Sequence, residues 1–122
     1  MDKLIPKWIE DINNAILEIE SFFENRPKKF EIFENDTMLR KAIMMNITII
    51  GEAMNRILKV YPDIKISSAR KIVNTRNYVI HGYDSLQNDI LWGIVIRHLP
   101  LLKKELQSLT FPKPENENKN IN

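Results

Sequence analysis

The chain has 122 residues, of which 43% are hydrophobic and 28% charged, and its formal net charge is +2. This length and composition predict one domain with enough apolar side chains for a single core. The absence of cysteine excludes a disulfide framework and a thiolate metal site, and a net charge this small does not by itself call for nucleic acid.

The chain carries no pattern of a membrane or secreted protein. No apolar run reaches the roughly 18 residues of a membrane span, and the N-terminus lacks the basic region and apolar block of a signal peptide. We therefore expect a cytoplasmic protein, which the absence of cysteine suits. Two histidines and scattered carboxylates predict no dedicated metal site, and without a glycine-rich phosphate loop we expect no cofactor.

The first elements are a long helix and a short apolar segment. Apolar side chains recur at helical spacing over residues 7–24, and Pro6 suits the first turn of that helix. The polar stretch at 25–29 contains a proline and ends it. Residues 30–33 follow as a short apolar segment, a turn or a short helix.

The second long helix starts at Asp36 or Thr37, either of which can cap it, and runs to about Val60. The dipeptide Tyr61-Pro62 ends it. Its apolar positions cover more than the single stripe of a surface helix. This width predicts two buried faces, one on the core and one against a neighbouring chain; a central core helix in a monomer is the alternative.

The third helix carries the most unusual pattern in the chain. Ser67 and Ser68 are candidate N-caps, the helix runs from 69 to about 80, and Gly82 suits the turn that follows. Arg76 lies in the middle of the predicted apolar face. His81 lies five residues on, about 140° around the helix. Either the helix ends before His81, or Arg76 of one chain acts beside His81 of another.

A fourth helix follows, with Asp84 or Ser85 as its cap. Trp92 is predicted to lie in the core or in a dimer seam. His98 lies in the apolar line of this helix, which predicts a satisfied buried histidine rather than a ligand. Pro100 is expected to kink the helix, because it removes an amide donor and its ring clashes with the preceding turn.

The predicted elements define an all-α fold, a four- to five-helix up-and-down bundle. The bundle occupies residues 1–109, and the polar sequence at 110–122, rich in Pro, Glu, Asn and Lys, is predicted to be a disordered tail.

The residues Arg76, Asn77, His81, Gly82 and Tyr83 resemble the Arg-x4-6-His motif of the HEPN ribonucleases. The motif has a polar residue directly after the arginine and a tyrosine two residues after the histidine. In both features it is similar to the motif of the HepT-like toxins of bacterial and archaeal toxin–antitoxin pairs. Other similar stretches lie at 50–53, 62, 89–92 and 99–100, and the resemblance covers roughly residues 5–108.

The resemblance implies a HEPN-like homodimer in which two motifs face each other across a groove and cleave RNA without a metal. Arg76 and His81 would be the catalytic residues, acting on one scissile phosphate through a 2′,3′-cyclic phosphate. Asn77, one helical turn before His81, could orient the imidazole ring or the RNA. Glu52 is expected to be solvated and paired with Arg56, with support of Arg76 as the second possibility.

The resemblance also implies a partner, an antitoxin nucleotidyltransferase that adenylylates the tyrosine of the motif, here Tyr83. The added phosphate would place negative charge beside His81 and Arg76 and keep RNA out. The alternative for Tyr83 is a structural hydroxyl that closes the loop after Gly82.

Two functions from different classes follow from the sequence. The first is an endoribonuclease toxin, which the presence of both Arg76 and His81 favours. The second is a non-catalytic helical subunit that dimerises and binds a nucleotidyltransferase without cutting RNA. RNA that stays intact while the chain still binds a nucleotidyltransferase would favour the second.

Overall fold

The computed structural model describes the backbone of residues 4–81 and 85–109 and the side chains of residues 4–75 and 88–109. Every regular element in these ranges is helical, which confirms the all-α prediction. In chain order the elements are α1 (Leu4–Ser21), α2 (Phe30–Asn35), α3 (Thr37–Val60), α4 (Ala69–His81), α5 (Ser85–Gly93), a π-helical turn (Ile94–His98) and α6 (Leu99–Ser108). The predicted tail at 110–122 and the predicted Asp84 cap lie outside the described residues.

Helix α3 is the centre of the core and packs against both α1 and α4. Four of its ten buried residues are isoleucines, and all four are fully buried: Ile43, Ile47, Ile50 and Ile57. Branched side chains of this size lose much apolar surface to the interior, which is the main force that holds the helices together. The predicted width of the buried face is confirmed, with the exception of Ile49, which is 40% exposed.

Helix α1 begins and ends three residues earlier than predicted. It starts at Leu4, so Pro6 still falls in the first turn, where its missing amide donor costs no hydrogen bond. After Ser21 the amides of Phe22 and Phe23 donate three residues back, to the carbonyls of Ile19 and Glu20. The residues predicted to form the last turn of this helix therefore form a tighter turn, in which hydrogen bonds span three residues and not the four of an α-helix.

The start of α3 is fixed by Asp36, one of the two predicted caps. Its Oδ1 accepts the amide of Leu39 at 3.0 Å, and Arg26 Nη1 lies 2.8 Å from its Oδ2. The Leu39 hydrogen bond, followed by the Arg26 hydrogen bond, lowers the pKa of the Asp36 carboxyl. At the other end, Tyr61 closes α3 as predicted.

The start of α4 differs from the prediction that a serine hydroxyl caps it. Ser68 is buried, and its Oγ makes no hydrogen bond within the described part of the chain. The amide of Ser67 donates instead to the Glu105 carboxylate of α6, at 3.1 and 3.2 Å. A carboxylate near a helix N-terminus also suits the helix dipole, so α6 takes over the role expected of the serine.

The last helical segment accommodates Pro100 by a π-helical turn. Proline has no amide hydrogen, and its ring clashes with the carbonyl four residues earlier. The amide of Leu99 donates to the carbonyl of Ile94, five residues back, which widens the helix in the turn before the proline. The expected disturbance of the helix by Pro100 therefore takes the form of a π turn.

Trp92 joins three segments in one aromatic cluster. Its ring centroid lies 5.2 Å from that of Phe33, 5.9 Å from Phe23 and 6.3 Å from Phe30. These distances are those of tilted and edge-on aromatic pairs. Trp92 is half-buried and packs against the core of the chain, and the dimer seam, the other position predicted for it, stays a prediction. Among the described residues, no helix combines the length and apolarity that a membrane crossing needs.

Candidate active site at the end of helix α4

The predicted site residues Arg76, Asn77 and His81 all belong to one uninterrupted helix, α4, which continues through His81. One of the two alternatives drawn from the sequence, a helix that ends before His81, is therefore wrong. The side chains of these three residues, and Tyr83 as a whole, lie outside the described parts of the chain. The geometry of the site is thus set by the helix that carries them.

The angular positions on α4 are measured from Ile72, whose side chain is fully buried. At 100° per residue, Arg76 lies about 40° from Ile72 and Asn77 about 140°. His81, nine residues after Ile72, lies about 180° away. A single copy of α4 therefore presents arginine and histidine to different surroundings.

The described part of α4 buries one polar residue besides the predicted apolar ones. Among residues 69–75 of this helix, Ala69, Ile72 and Thr75 are buried and Val73 is half-buried. Thr75 is 1% exposed and was not part of the predicted face, because a hydroxyl is not counted as apolar; its Oγ1 donates to the carbonyl of Ile72. This internal hydrogen bond is what permits burial. At about 40° from Ile72, Arg76 lies within the arc that the buried residues span around the helix, so its place in the middle of the apolar face stays a prediction.

Helices α3 and α4 follow each other in the chain and pack against each other. Helix α4 has 13 residues, a rise of about 20 Å, so His81 lies at the end of α4 far from the loop that joins it to α3.

Glu52 lies on the exposed side of α3. The expected ion pair with Arg56 is absent, since neither residue takes part in an ion pair among the described side chains. An exposed pair of this kind gains little, so both side chains stay hydrated. The second possibility, that Glu52 supports Arg76, stays a prediction.

The other histidine of the chain, His98, lies in the π-helical turn and is half-buried. Burial lowers the pKa of His98, and the nearby positive charges of Lys71 and Arg97 lower it further. The prediction of a satisfied buried histidine is wrong in part, because its ring has no hydrogen bond to a described residue. The low pKa of His98 results first from burial and then from two cations, Lys71 and Arg97, that the sequence pattern did not connect with it.

No other chemical site competes within the described residues. Residues 4–75 and 88–109 contain no group of three or more His, Asp or Glu that could hold a metal ion. A groove of about 240 Å³ lies beside the N-terminal turn of α3. Its lining is mainly apolar and contains none of the residues Arg76 to His81: Phe22, Arg26, Asp36, Met38, Leu39 and Ala42.

Comparison with known proteins identifies similar chains. The family model described as "Ribonuclease HepT-like" matches residues 12–109. A probable ribonuclease HepT of Thermococcus cleftensis is 32% identical over 106 residues, which are 84% of this chain and 92% of that protein. A candidate RNase of Methanocaldococcus jannaschii is 33% identical over 79 residues, 62% of this chain and 70% of that protein.

A third similar protein is a candidate RNase of Caldanaerobacter subterraneus subsp. tengcongensis, 30% identical over 82 residues, 66% of this chain and 72% of that protein. No solved structure shows significant similarity to the chain. The matched region, residues 12–109, contains α2 to α6, most of α1 and all of the predicted site residues.

Proposed function

The chain belongs to the HepT-like ribonuclease family, and we propose that it is a metal-independent endoribonuclease, the toxin of a toxin–antitoxin pair. Its site is a groove between two copies of the chain. The observation that carries this proposal is that α4 continues through His81 while Arg76 lies about 140° away on the same helix. A second copy removes this obstacle, because it adds its own arginine and histidine on the other side of the groove.

RNA cleavage without a metal needs three groups. A base takes the proton of the 2′-hydroxyl, whose oxygen then attacks the phosphorus, and an acid protonates the departing 5′-oxygen. Positive charge stabilises the phosphate in the transition state. The products of this step are a 2′,3′-cyclic phosphate and a free 5′-hydroxyl, and water opens the ring afterwards.

The chain supplies a residue for each of these roles. His81 serves as base or acid, because imidazole gains and loses a proton near neutral pH. Arg76 stays charged and offers a planar set of donors that matches phosphate oxygens. Asn77 lies four residues before His81, on the same side of the helix, and orients the imidazole ring or the RNA.

Two identical chains related by a twofold axis would give two Arg76 and two His81 side chains around one phosphate. One histidine can then act as base while the other acts as acid, which a single imidazole cannot do at the same instant. Formation of the dimer is thus a condition of catalysis in this proposal and not only of stability. Glu52 is proposed as a support of Arg76.

Regulation is proposed to act on Tyr83, two residues after His81. A partner nucleotidyltransferase would transfer an adenylyl group to its hydroxyl. The phosphate adds negative charge next to the groove, and RNA phosphates are then repelled where Arg76 would otherwise attract them. The toxin would be silenced without being unfolded.

The proposal is tested by RNA cleavage in the presence of EDTA. The purified wild-type chain should cut RNA with chelator present, and His81→Ala and Arg76→Ala should each lose cleavage by about 100-fold or more. His98→Ala and Arg70→Ala are matched controls, a histidine and an α4 arginine outside the motif, and should keep it. Wild-type chain that leaves RNA intact but binds a nucleotidyltransferase would establish the non-catalytic subunit instead.

The regulatory part is tested separately by intact mass. Chain made together with its nucleotidyltransferase should gain the mass of whole adenylyl groups and lose cleavage, whereas Tyr83→Phe should gain none and stay active. Tyr61→Phe, at an exposed tyrosine on another part of the chain, is the control and should be modified like wild type. If the Tyr83→Phe chain is still adenylylated, the regulated residue is not Tyr83.

A further inference from the structure

Helix α3 carries a stripe of apolar residues on its outer side. Met38 is 80% exposed, Met45 63% and Ile49 40%. An outward helix face in a protein of this size is normally polar, and the core does not use these three side chains. The stripe continues as Glu52 and Arg56, both exposed.

The positions of the stripe have the spacing of a coiled-coil seam. Met38, Met45 and Glu52 are seven residues apart, and so are Ala42, Ile49 and Arg56. Taken together, the positions of the two series are spaced alternately four and three residues apart, which places them along one side of a helix. We propose that this stripe, the α3 seam, packs antiparallel against the α3 seam of a second copy. The inference rests on the proposed function, which requires that copy.

The antiparallel direction follows from how the two series match. With the twofold axis at the level of Ile47, Met45 of one copy faces Ile49 of the other. In the same arrangement Ala42 faces Glu52, and Met38 faces the stem of Arg56. Each position of one series then meets a position of the other, with apolar contacts in the middle and polar ones outside.

The charges of the seam are complementary in the same arrangement. Lys41 and Glu52 are both exposed, and neither makes an ion pair with a described side chain of its own copy. Lys41 lies next to Ala42, whose small side chain leaves space opposite Glu52 of the partner copy. The twofold axis creates this contact twice, so Lys41 of each copy meets Glu52 of the other.

Another occupant fits the stripe less well. The segment at 110–122 is another candidate occupant, but Phe111 and Ile121 are its only large apolar residues. They are ten residues apart, whereas the stripe needs apolar contacts at successive turns. A second copy supplies three such residues in the required order.

The test is a charge exchange measured by sedimentation of the full chain. Lys41→Glu alone and Glu52→Lys alone should each weaken self-association by about tenfold or more, because like charges then face each other twice. Mixing the two variants restores both opposite pairs, so the mixture should form a dimer of one chain of each kind. Equal association in all three samples would overturn the antiparallel seam.

Met45→Glu tests the apolar centre, and Leu17→Glu is the matched control, since Leu17 is 52% exposed on α1. Met45→Glu should give monomers with an unchanged melting profile, and Leu17→Glu should remain dimeric. Met45→Glu that stays dimeric would overturn the seam. A Met45→Glu chain that dimerises normally but no longer binds a nucleotidyltransferase would assign the stripe to that partner.

RNA cleavage separates this inference from the proposed function. Dimers that obey the charge exchange but leave RNA intact would uphold the seam and refute the nuclease. Cleavage that persists in Met45→Glu and in both charge variants, with dimers intact, would refute the seam and uphold the nuclease. A wild-type chain that sediments as a monomer at every concentration would overturn the seam, and active monomers would also refute the composite site.

Discussion

Ile72 and His81 lie on opposite sides of the same helix, α4, which continues without interruption through both. Ile72 is fully buried, so the side of the helix that carries His81 is turned away from the packing of Ile72 in the core. Arg76, about 40° from Ile72 around the helix, lies on the Ile72 side. This relationship makes a site within one chain difficult to form and is the reason that we propose a second copy.

The composite site predicts that two inactive variants rescue each other. Arg76→Ala and His81→Ala should each be inactive alone. After the chains are mixed and allowed to exchange, about half of the dimers contain one of each, and each of these retains one arginine and one histidine at the shared groove, so part of the cleavage should return, to less than half of the wild-type rate. The measurement is the initial rate of RNA cleavage.

The control for this experiment mixes two differently tagged samples of His81→Ala, which exchange equally but cannot form a complete site. Copurification of the tags shows that exchange has occurred. A mixture of Arg76→Ala and His81→Ala that exchanges fully and stays inactive would contradict a site shared between chains.

The two histidines are expected to control different pH-dependent properties of the chain, His98 its stability and His81 the proposed cleavage of RNA. His98 has a pKa below its ordinary 6.5, so the unfolded chain binds a proton more readily than the folded chain. Its effect on stability is absent above pH 6.5 and becomes destabilising as the pH falls below that value. His98→Gln should therefore reduce the loss of melting temperature between pH 7 and pH 5, while the pH profile of cleavage, which depends on His81, should not move.

The cause of the low His98 pKa is testable by nuclear magnetic resonance. Lys71→Ala and Arg97→Ala each remove one nearby positive charge and should raise the His98 pKa toward its ordinary value. Lys65→Ala removes an exposed charge elsewhere and should leave it unchanged. A His98 pKa that responds to none of these variants would leave burial as its only cause.

The cap of α3 predicts an acid-sensitive contribution to stability. The pKa of Asp36 is below its ordinary 3.8, so its ionised form stabilises the folded chain above that pH, and the stabilisation disappears as the pH falls through the folded pKa. Asp36→Ala should lower the melting temperature at pH 7 and matter less near pH 3. Asp63→Ala, at an exposed aspartate outside the helices, should change little at either pH.

The aromatic cluster predicts a cost for removing Trp92. Trp92→Ala takes away contacts with Phe33, Phe23 and Phe30 and should lower the free energy of unfolding by at least about 2 kcal/mol. Trp92→Phe keeps an aromatic ring and should cost less. Urea unfolding gives both values. Equal stability of Trp92→Ala and wild type would show that the cluster does not hold α5 against α2.

The sequence by itself determined the helices and the candidate residues. Apolar spacing located every long helix, Asp36 and Tyr61-Pro62 marked the ends of α3, and the motif identified Arg76 and His81. These features are local, because a cap, a proline or a helical period depends on residues within one or two turns. The pattern of residues in one sequence is therefore enough to predict them.

Only the tertiary structure decided which faces those helices bury. It buried Thr75 beside Ile72 on α4, left Met38, Met45 and Ile49 of α3 outside the core, and brought Glu105 to the amide of Ser67. Each of these results depends on a neighbour that is distant in sequence, since burial and capping are satisfied by whichever group the packing brings within reach. Because of this dependence, the periodicity of apolar residues in the sequence did not predict these results.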